Sequence, residues 1–220
     1  MKQLKDIKLK VCGMRDAQNI KELYELRPNY MGLIFWEPSK RYVDPNTFVA
    51  VDPSIQLIGV FVNETIELIL EKVINYHLRG VQLHGSESVE FCSKLKELFL
   101  DKNLDINIIK AFSIGDSFDF SPLKAYENSC DYFLFDTKGE LPGGTGKSFS
   151  WELLKNYNLD TPYFLSGGIS ESHLLDLERF FKNKASEKCV AIDINSKFEI
   201  SPALKDIELL KRFKTRLYQS

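Results

Sequence analysis

Asp131-Tyr-Phe-Leu-Phe-Asp136-Thr-Lys-Gly-Glu-Leu-Pro-Gly143-Gly144-Thr-Gly146-Lys147-Ser-Phe-Ser-Trp151 reads as a buried strand that stops at a carboxylate, followed by a glycine-rich loop and a segment able to begin a helix. A strand apolar on both faces belongs in a covered parallel sheet, where a carboxylate at the carboxyl end is not packing material. Glycines let backbone N–H groups approach a ligand, and a helix N-terminus behind them favours an anion. Gly146-Lys147-Ser148 resembles the end of a nucleotide-binding P-loop, but that motif needs a glycine five positions before the second one, and position 141 is Leu. The stretch therefore offers an acid at a strand end beside an anion-binding loop, set against the plainer alternative of a flexible glycine loop.

Working outward, the chain alternates short apolar runs with amphipathic segments. Strands are expected over 8–12, 30–35, 55–62, 81–84, 106–112, 132–136, 163–166 and 189–194. Helices are expected over 16–26, 44–50, 64–78, 87–100, 118–128, 148–157, 171–182 and 202–216. Segment 64–78 shows the helical period well, with Ile66, Ile69, Leu70, Val73, Ile74 and His77 on one face. Asp16, Asn63, Ser86 and Ser170 stand where N-caps are wanted, and Ser201-Pro202 supplies a cap followed by a first-turn proline. Strands alternating with helices imply a parallel sheet. Eight units in 220 residues average roughly 27 residues each, near the βαβ minimum. The expected fold is α/β, a single (β/α)8 TIM barrel forming one domain over residues 1–220. An open doubly wound sheet would not ordinarily need eight strands of such similar length, and its dinucleotide fingerprint is missing.

Composition narrows the function. A formal net charge of −2 gives no general reason to expect nucleic-acid or membrane binding, so an anionic ligand must be held by local groups. The charged amino terminus is neither a signal peptide nor an anchor. Cys12, Cys92, Cys130 and Cys189 are far apart, which points to reduced thiols in the cytoplasm. His77, His84 and His173 show no metal-ligand spacing.

A barrel of this kind works at the carboxyl ends of its strands, and there polar groups collect. The ends read Cys12-Gly13, Trp36 to Arg41, Val62-Asn63, Gln82-Leu-His84, Phe112-Ser113, Asp136, Ser166-Gly167-Gly168 and Asp193-Ile-Asn195-Ser196. Each residue has a dull alternative. His84 could merely satisfy a backbone carbonyl, Lys10 and Lys110 could be paired interior charges, and Arg41 an ordinary surface arginine. Cys12, next to a glycine at the rim, is a competent base if neighbouring positive charge ionises it. Arg41, above the barrel, suits fork-like recognition of a carboxylate. The loops after strands seven and eight occupy the usual phosphate-gripping place. The chemistry alone implies a cofactor-free barrel acting on a phosphorylated small molecule, with a thiol and a carboxyl facing each other.

Lys10-Val-Cys12-Gly13-Met, Gly32-Leu-Ile-Phe35 with Ser39-Lys-Arg41-Tyr-Val43, Gly59-Val-Phe-Val-Asn63, Val81-Gln-Leu-His84-Gly85, Phe135-Asp136-Thr137 with Gly143-Gly144-Thr-Gly146-Lys147, Ser166-Gly167-Gly168 and Asp193-Ile-Asn195-Ser196 occur in order. Together they resemble the phosphoribosylanthranilate isomerase family of tryptophan biosynthesis, from about Lys10 to about Asp206. The resemblance implies an Amadori rearrangement with Asp136 as general acid and Cys12 as general base. It also implies that Arg41 contacts the anthranilate carboxylate, that His84 is a substrate-binding residue, and that Gly143, Gly144, Gly146, Gly167, Gly168, Asn195 and Ser196 belong to substrate-binding, chiefly phosphate-binding, elements. No metal or cofactor is implied, because an imine acidifies the C2 proton enough for a thiolate. An acid role requires Asp136 to be held protonated, which the apolar strand around Phe133 and Phe135 would promote.

Three positions depart from the family pattern. Lys197 and Ala203 replace customary glycines, and Ser150 stands where Asp often precedes the Trp. The enzymatic rival is another phosphosugar barrel, such as an epimerase, which would normally show an acid–base pair suited to both faces of a carbon. The non-enzymatic rival is a silent barrel that binds a phosphorylated metabolite. A short chain with polar, lysine-rich helices favours a monomer.

Overall fold

In a computed structural model that describes residues 4–44, 54–137 and 150–219, eight strands close into one barrel in sequence order, every neighbour parallel. They are β1 (Lys8–Cys12), β2 (Tyr30–Ile34), β3 (Gln56–Phe61), β4 (Gly80–Leu83), β5 (Asn107–Ile114), β6 (Tyr132–Thr137), β7 (Tyr163–Leu165) and β8 (Cys189–Ile194). β8 returns to β1 with Lys10 opposite Asp193, which completes the ring. Tyr30, Ile58, Ile109, Ala111, Leu134, Phe164 and Ala191 fill the interior. Alternate residues such as Val11, Met31, Leu33 and Phe133 point outward into the larger core beneath the helices. Full burial of such an apolar side chain contributes about 1.5–3 kcal/mol.

The helices are α1 (Ala17–Leu26), α2 (Ile66–Asn75), α3 (Val89–Asp101), α4 (Leu174–Phe181) and α5 (Ile207–Gln219). Asp16 caps α1 as expected, its side chain accepting from Asn19 N at 2.8 Å. The next two caps lie two residues later than expected, at Thr65 and Ser88. Asn63 and Ser86 are used to tie two loops together instead, Ser86 N donating to Asn63 Oδ1 at 2.7 Å. In place of the helices expected over 118–128 and 148–157 the described residues form short 3-10 helices, Ser121–Tyr126 and Trp151–Asn156, residues 148 and 149 lying outside the described residues. The helix expected over 171–182 begins as a 3-10 turn, Glu171–His173, before α4. Residues 45–50 of the helix expected over 44–50 lie outside the described residues.

The largest departure is at 202–216. Ser201-Pro202 does not start a helix; it belongs to a small hairpin of β9 (Glu199–Ser201) and β10 (Leu204–Lys205). Proline presets the first turn position and Ala203 takes φ +69°, which explains why glycine suits this place. The hairpin is held by Asn19 of α1, which donates to Lys205 O at 3.0 Å and accepts from Lys205 N at 2.7 Å. Asp206 then serves α5, its Oδ1 accepting from Leu209 N at 2.9 Å. Among the described residues no helix is long and apolar enough to cross a membrane.

Candidate active site

Residues two apart on a strand share a face, so β1 sends Lys8, Lys10 and Cys12 into the barrel at successive heights. Lys8 bonds Tyr30 Oη at 3.0 Å, while Cys12 reaches the carboxyl-terminal mouth. There a cavity of about 220 Å³ is lined by Cys12, Arg41, His84, Asp136, Gly167, Gly168, Asn195 and Ser196, together with Gln82, Asp193 and Lys197. Every site residue read from the sequence that the structure describes is thus at one place. Gly143, Gly144 and Gly146 lie outside the described residues.

A polar chain runs along the cavity floor from beside Cys12 to Asp136. Lys10 Nζ donates to Gln82 Oε1 at 2.8 Å and to Asp193 Oδ2 at 3.0 Å. An ammonium has only donors, so it fixes the Gln82 amide with its oxygen towards Lys10 and its nitrogen towards His84. Gln82 Nε2 is 2.8 Å from His84 Nδ1, which must then accept, leaving the imidazole proton on Nε2. That nitrogen lies 3.4 Å from Asp136 Oδ2, and Thr137 N donates to Asp136 Oδ1 at 2.9 Å. The Asp136 carboxyl is therefore held at both oxygens.

Cys12 sits in opposing fields. Burial pushes its thiol above the ordinary value, and Asp193 adds to this, while the Lys10 and Lys205 cations pull it down and Lys10 hydrogen-bonds the sulfur. Lys10 itself stays charged: burial works to lower it, but Asp193 and Cys12 outweigh that. Asp193 is raised, first by burial and further by Asp136, against the pull of Lys10. Its Oδ1 is buried without a partner among the described residues, so only one of its oxygens is stabilised.

Arg41 approaches over Gly13, where a Cβ would lie 2.7 Å from Arg41 Cδ and from Asn195 Oδ1; Gly13 has φ +79° as well, so no other residue fits. Its guanidinium is forked onto Glu199, with Nε at 2.8 Å from Oε1 and Nη2 at 2.7 Å from Oε2. Lys205 Nζ bonds the same Glu199 Oε1 at 2.6 Å and Asn195 Oδ1 at 2.7 Å. Below the rim, Lys110 and Glu87 form a buried pair at 3.0 Å. Glu87 also accepts from Asn63 N at 2.8 Å and Lys110 donates to Gly85 O at 2.8 Å, which locks the loops that carry His84.

Sequence spacing could have marked Gln82, two residues before His84 on the same face. Glu199 and Lys205 carried no such signal, because their partners are brought to them by the hairpin.

The chain matches the family model described as N-(5'phosphoribosyl)anthranilate (PRA) isomerase over residues 9–216. It is 44% identical to N-(5'-phosphoribosyl)anthranilate isomerase of Parabacteroides distasonis, over 93% of this chain and 90% of that one. Identity to the isomerase of Phocaeicola vulgatus is 41%, over 96% of this chain and 98% of that one. The crystal structure of phosphoribosyl anthranilate isomerase from Thermotoga maritima is similar with a TM-score of 0.77 at 30% identity, over 97% and 100% of the two chains. Another isomerase structure, a complex with reduced 1-(o-carboxyphenylamino)-1-deoxyribulose 5-phosphate, gives a TM-score of 0.74 at 28% identity, over 97% and 100% of the two chains.

Proposed function

This chain belongs to the N-(5'-phosphoribosyl)anthranilate isomerase family of tryptophan biosynthesis, and from that premise we propose how its own residues divide the Amadori rearrangement. Asp136 protonates the furanose ring oxygen, the C1–O bond breaks, and the anthranilate nitrogen lone pair gives a protonated imine. The Cys12 thiolate takes the C2 proton, and the electron pair of that C–H bond forms the C1–C2 double bond of an enolamine as the imine is neutralised. Return of a proton to C1 and loss of the C2 hydroxyl proton give 1-(2-carboxyphenylamino)-1-deoxyribulose 5-phosphate. Each proton transfer is worth typically about 10²–10⁴-fold.

The observation that supports this division is the shared cavity of Cys12 and Asp136, with Lys10, Gln82 and His84 bridging beneath it. The Lys10 cation favours the thiolate that Cys12 must become, and His84 with Thr137 N aims the carboxyl. Asp193 Oδ1, buried at the cavity wall, suits a sugar hydroxyl. Arg41 takes the aryl carboxylate, and the loops at 166–168 and 195–196 take the phosphate with backbone amides, joined by the 143–146 glycines. No cofactor enters, because the imine already acidifies C2.

Residues 1–220 are read as one barrel domain acting as a monomer in the cytoplasm. Among the described residues the exposed large apolar side chains, Ile74, Leu100, Leu175 and Ile200, are scattered over four elements, and the four cysteines are thiols. The test is turnover of freshly made phosphoribosylanthranilate, followed by fluorescence, in Cys12→Ala and Asp136→Asn. Each variant is expected to lose about 10²–10⁴-fold in kcat. Turnover at the parent rate in either would remove that residue from the mechanism.

A further inference from the structure

We propose that Glu199, carried by the β9–β10 hairpin, is the residue that positions Arg41 for substrates bearing a carboxylate on the aryl ring. This rests on Arg41 being the carboxylate contact. A guanidinium has five N–H donors in two forks, one on the Nε–Nη2 edge and one on the Nη1–Nη2 edge. Glu199 occupies the first fork fully, through Nε and Nη2. Nη1 makes no hydrogen bond among the described residues, and Arg41 lines the cavity. The Glu199 side chain is 5% exposed while that of Arg41 is 18% exposed, so the occupied edge faces the protein and the second fork is left for a ligand. A second fork aligned in this way matches a carboxylate bidentately.

The clamp is itself fixed at both ends. Lys205 holds Glu199 Oε1 and is tied through its backbone to Asn19 of α1. Two cations around one carboxylate leave a net positive charge, which favours an anionic partner. The Arg41 stem meanwhile lies against Gly13, directly after Cys12. The aryl end of the substrate is thereby held in register with the base that takes the C2 proton. Arg41 without Glu199 keeps its charge but loses its direction.

The experiment compares phosphoribosylanthranilate with N-(5-phosphoribosyl)aniline, the same N-glycoside lacking the carboxylate, in the parent, Arg41→Ala, Glu199→Gln and Glu199→Gln/Lys205→Met. The double variant removes the buried cation that Glu199→Gln alone would leave unpaired. Glu199→Gln is expected to raise KM for the carboxylated substrate on the order of tenfold, with kcat nearly unchanged and the aniline substrate unaffected. Glu199→Gln/Lys205→Met is expected to shift the preference between the two substrates by the same factor, on top of a loss common to both, because Lys205 also bonds Asn195 and pulls the Cys12 thiol down. An Arg41→Ala variant that keeps the preference for the carboxylated substrate refutes Arg41 as the contact. If Arg41→Ala abolishes the preference while the Glu199 variants keep it, the positioning role is refuted. Equal losses on both substrates in Glu199→Gln would show a structural role only and also overturn it.

Discussion

Substitution of Gly32 by alanine should injure catalysis from a position that touches no substrate. The β1–β2 register puts Gly32 opposite Cys12. A Cβ on Gly32 would lie 2.6 Å from Cys12 Sγ, 3.0 Å from its Cα and 3.1 Å from its Cβ. Ordinary contacts between heavy atoms of this kind begin at about 3.5–4.0 Å, so the sulfur must move by about 1 Å. The backbone cannot give way easily, since Gly13 N and Met14 N both donate to Gly32 O, at 3.0 and 3.2 Å. Overpacking costs about 1–3 kcal/mol of stability. A reacting group misplaced by about 1 Å costs about 10²-fold in rate. Gly59 on β3 is the matched control, because there a Cβ meets only the ends of the Leu78 and Phe61 side chains, at 2.6 and 2.7 Å. Urea denaturation and steady-state turnover should show both alanine variants destabilised, and Gly32→Ala alone slowed about 10²-fold in kcat. Full activity in Gly32→Ala, or equal loss of activity in both, would refute the argument that the position of the sulfur sets the rate.

Other consequences follow from the charges. If the Cys12 thiolate is the base, kcat/KM should climb through pH 7 to 9 without a plateau, since burial holds the thiol above its ordinary 9.0. Lys10→Met removes a cation that pulls the thiol down and should move that limb further alkaline; a flat profile from pH 7 to 9 in the parent would contradict this. Lys110→Met leaves Glu87 buried without its partner and should cost about 3–5 kcal/mol in chemical denaturation. Burial works to raise the Glu199 carboxyl, yet Arg41 and Lys205 outweigh it and hold the group below its ordinary 4.5. Its contribution to stability is therefore present above pH 4.5 and lost as pH falls through the lowered folded value, so the parent and Glu199→Gln should converge in stability in that acid range.

The barrel was legible because its strands are continuous apolar runs that end in polar groups. β1 and β8 were placed to the residue for that reason, and Cys12 and Asp136 stood out as chemistry at the ends of such runs. Helix starts were less legible, because Asn63 and Ser86 are as suited to pinning a loop as to capping a helix. Pro202 misled in the same way, since one fixed φ serves a turn and a first helical residue alike. Glu199 looked like any acidic residue between Phe198 and Ile200. Its value comes from Arg41, 158 positions away, and from Lys205, six positions on, which only the closed barrel and its hairpin bring together.

The division of labour between sulfur and carboxyl is tested most directly by single turnovers of substrate deuterated at C2, in Cys12→Ser and Asp136→Asn. With a hydroxyl as the weakened base, removal of the C2 hydron should limit the rate and a primary isotope effect should appear. With ring opening crippled in Asp136→Asn, that effect should vanish. An isotope effect present in Asp136→Asn and absent from Cys12→Ser would contradict the assignment of base and acid.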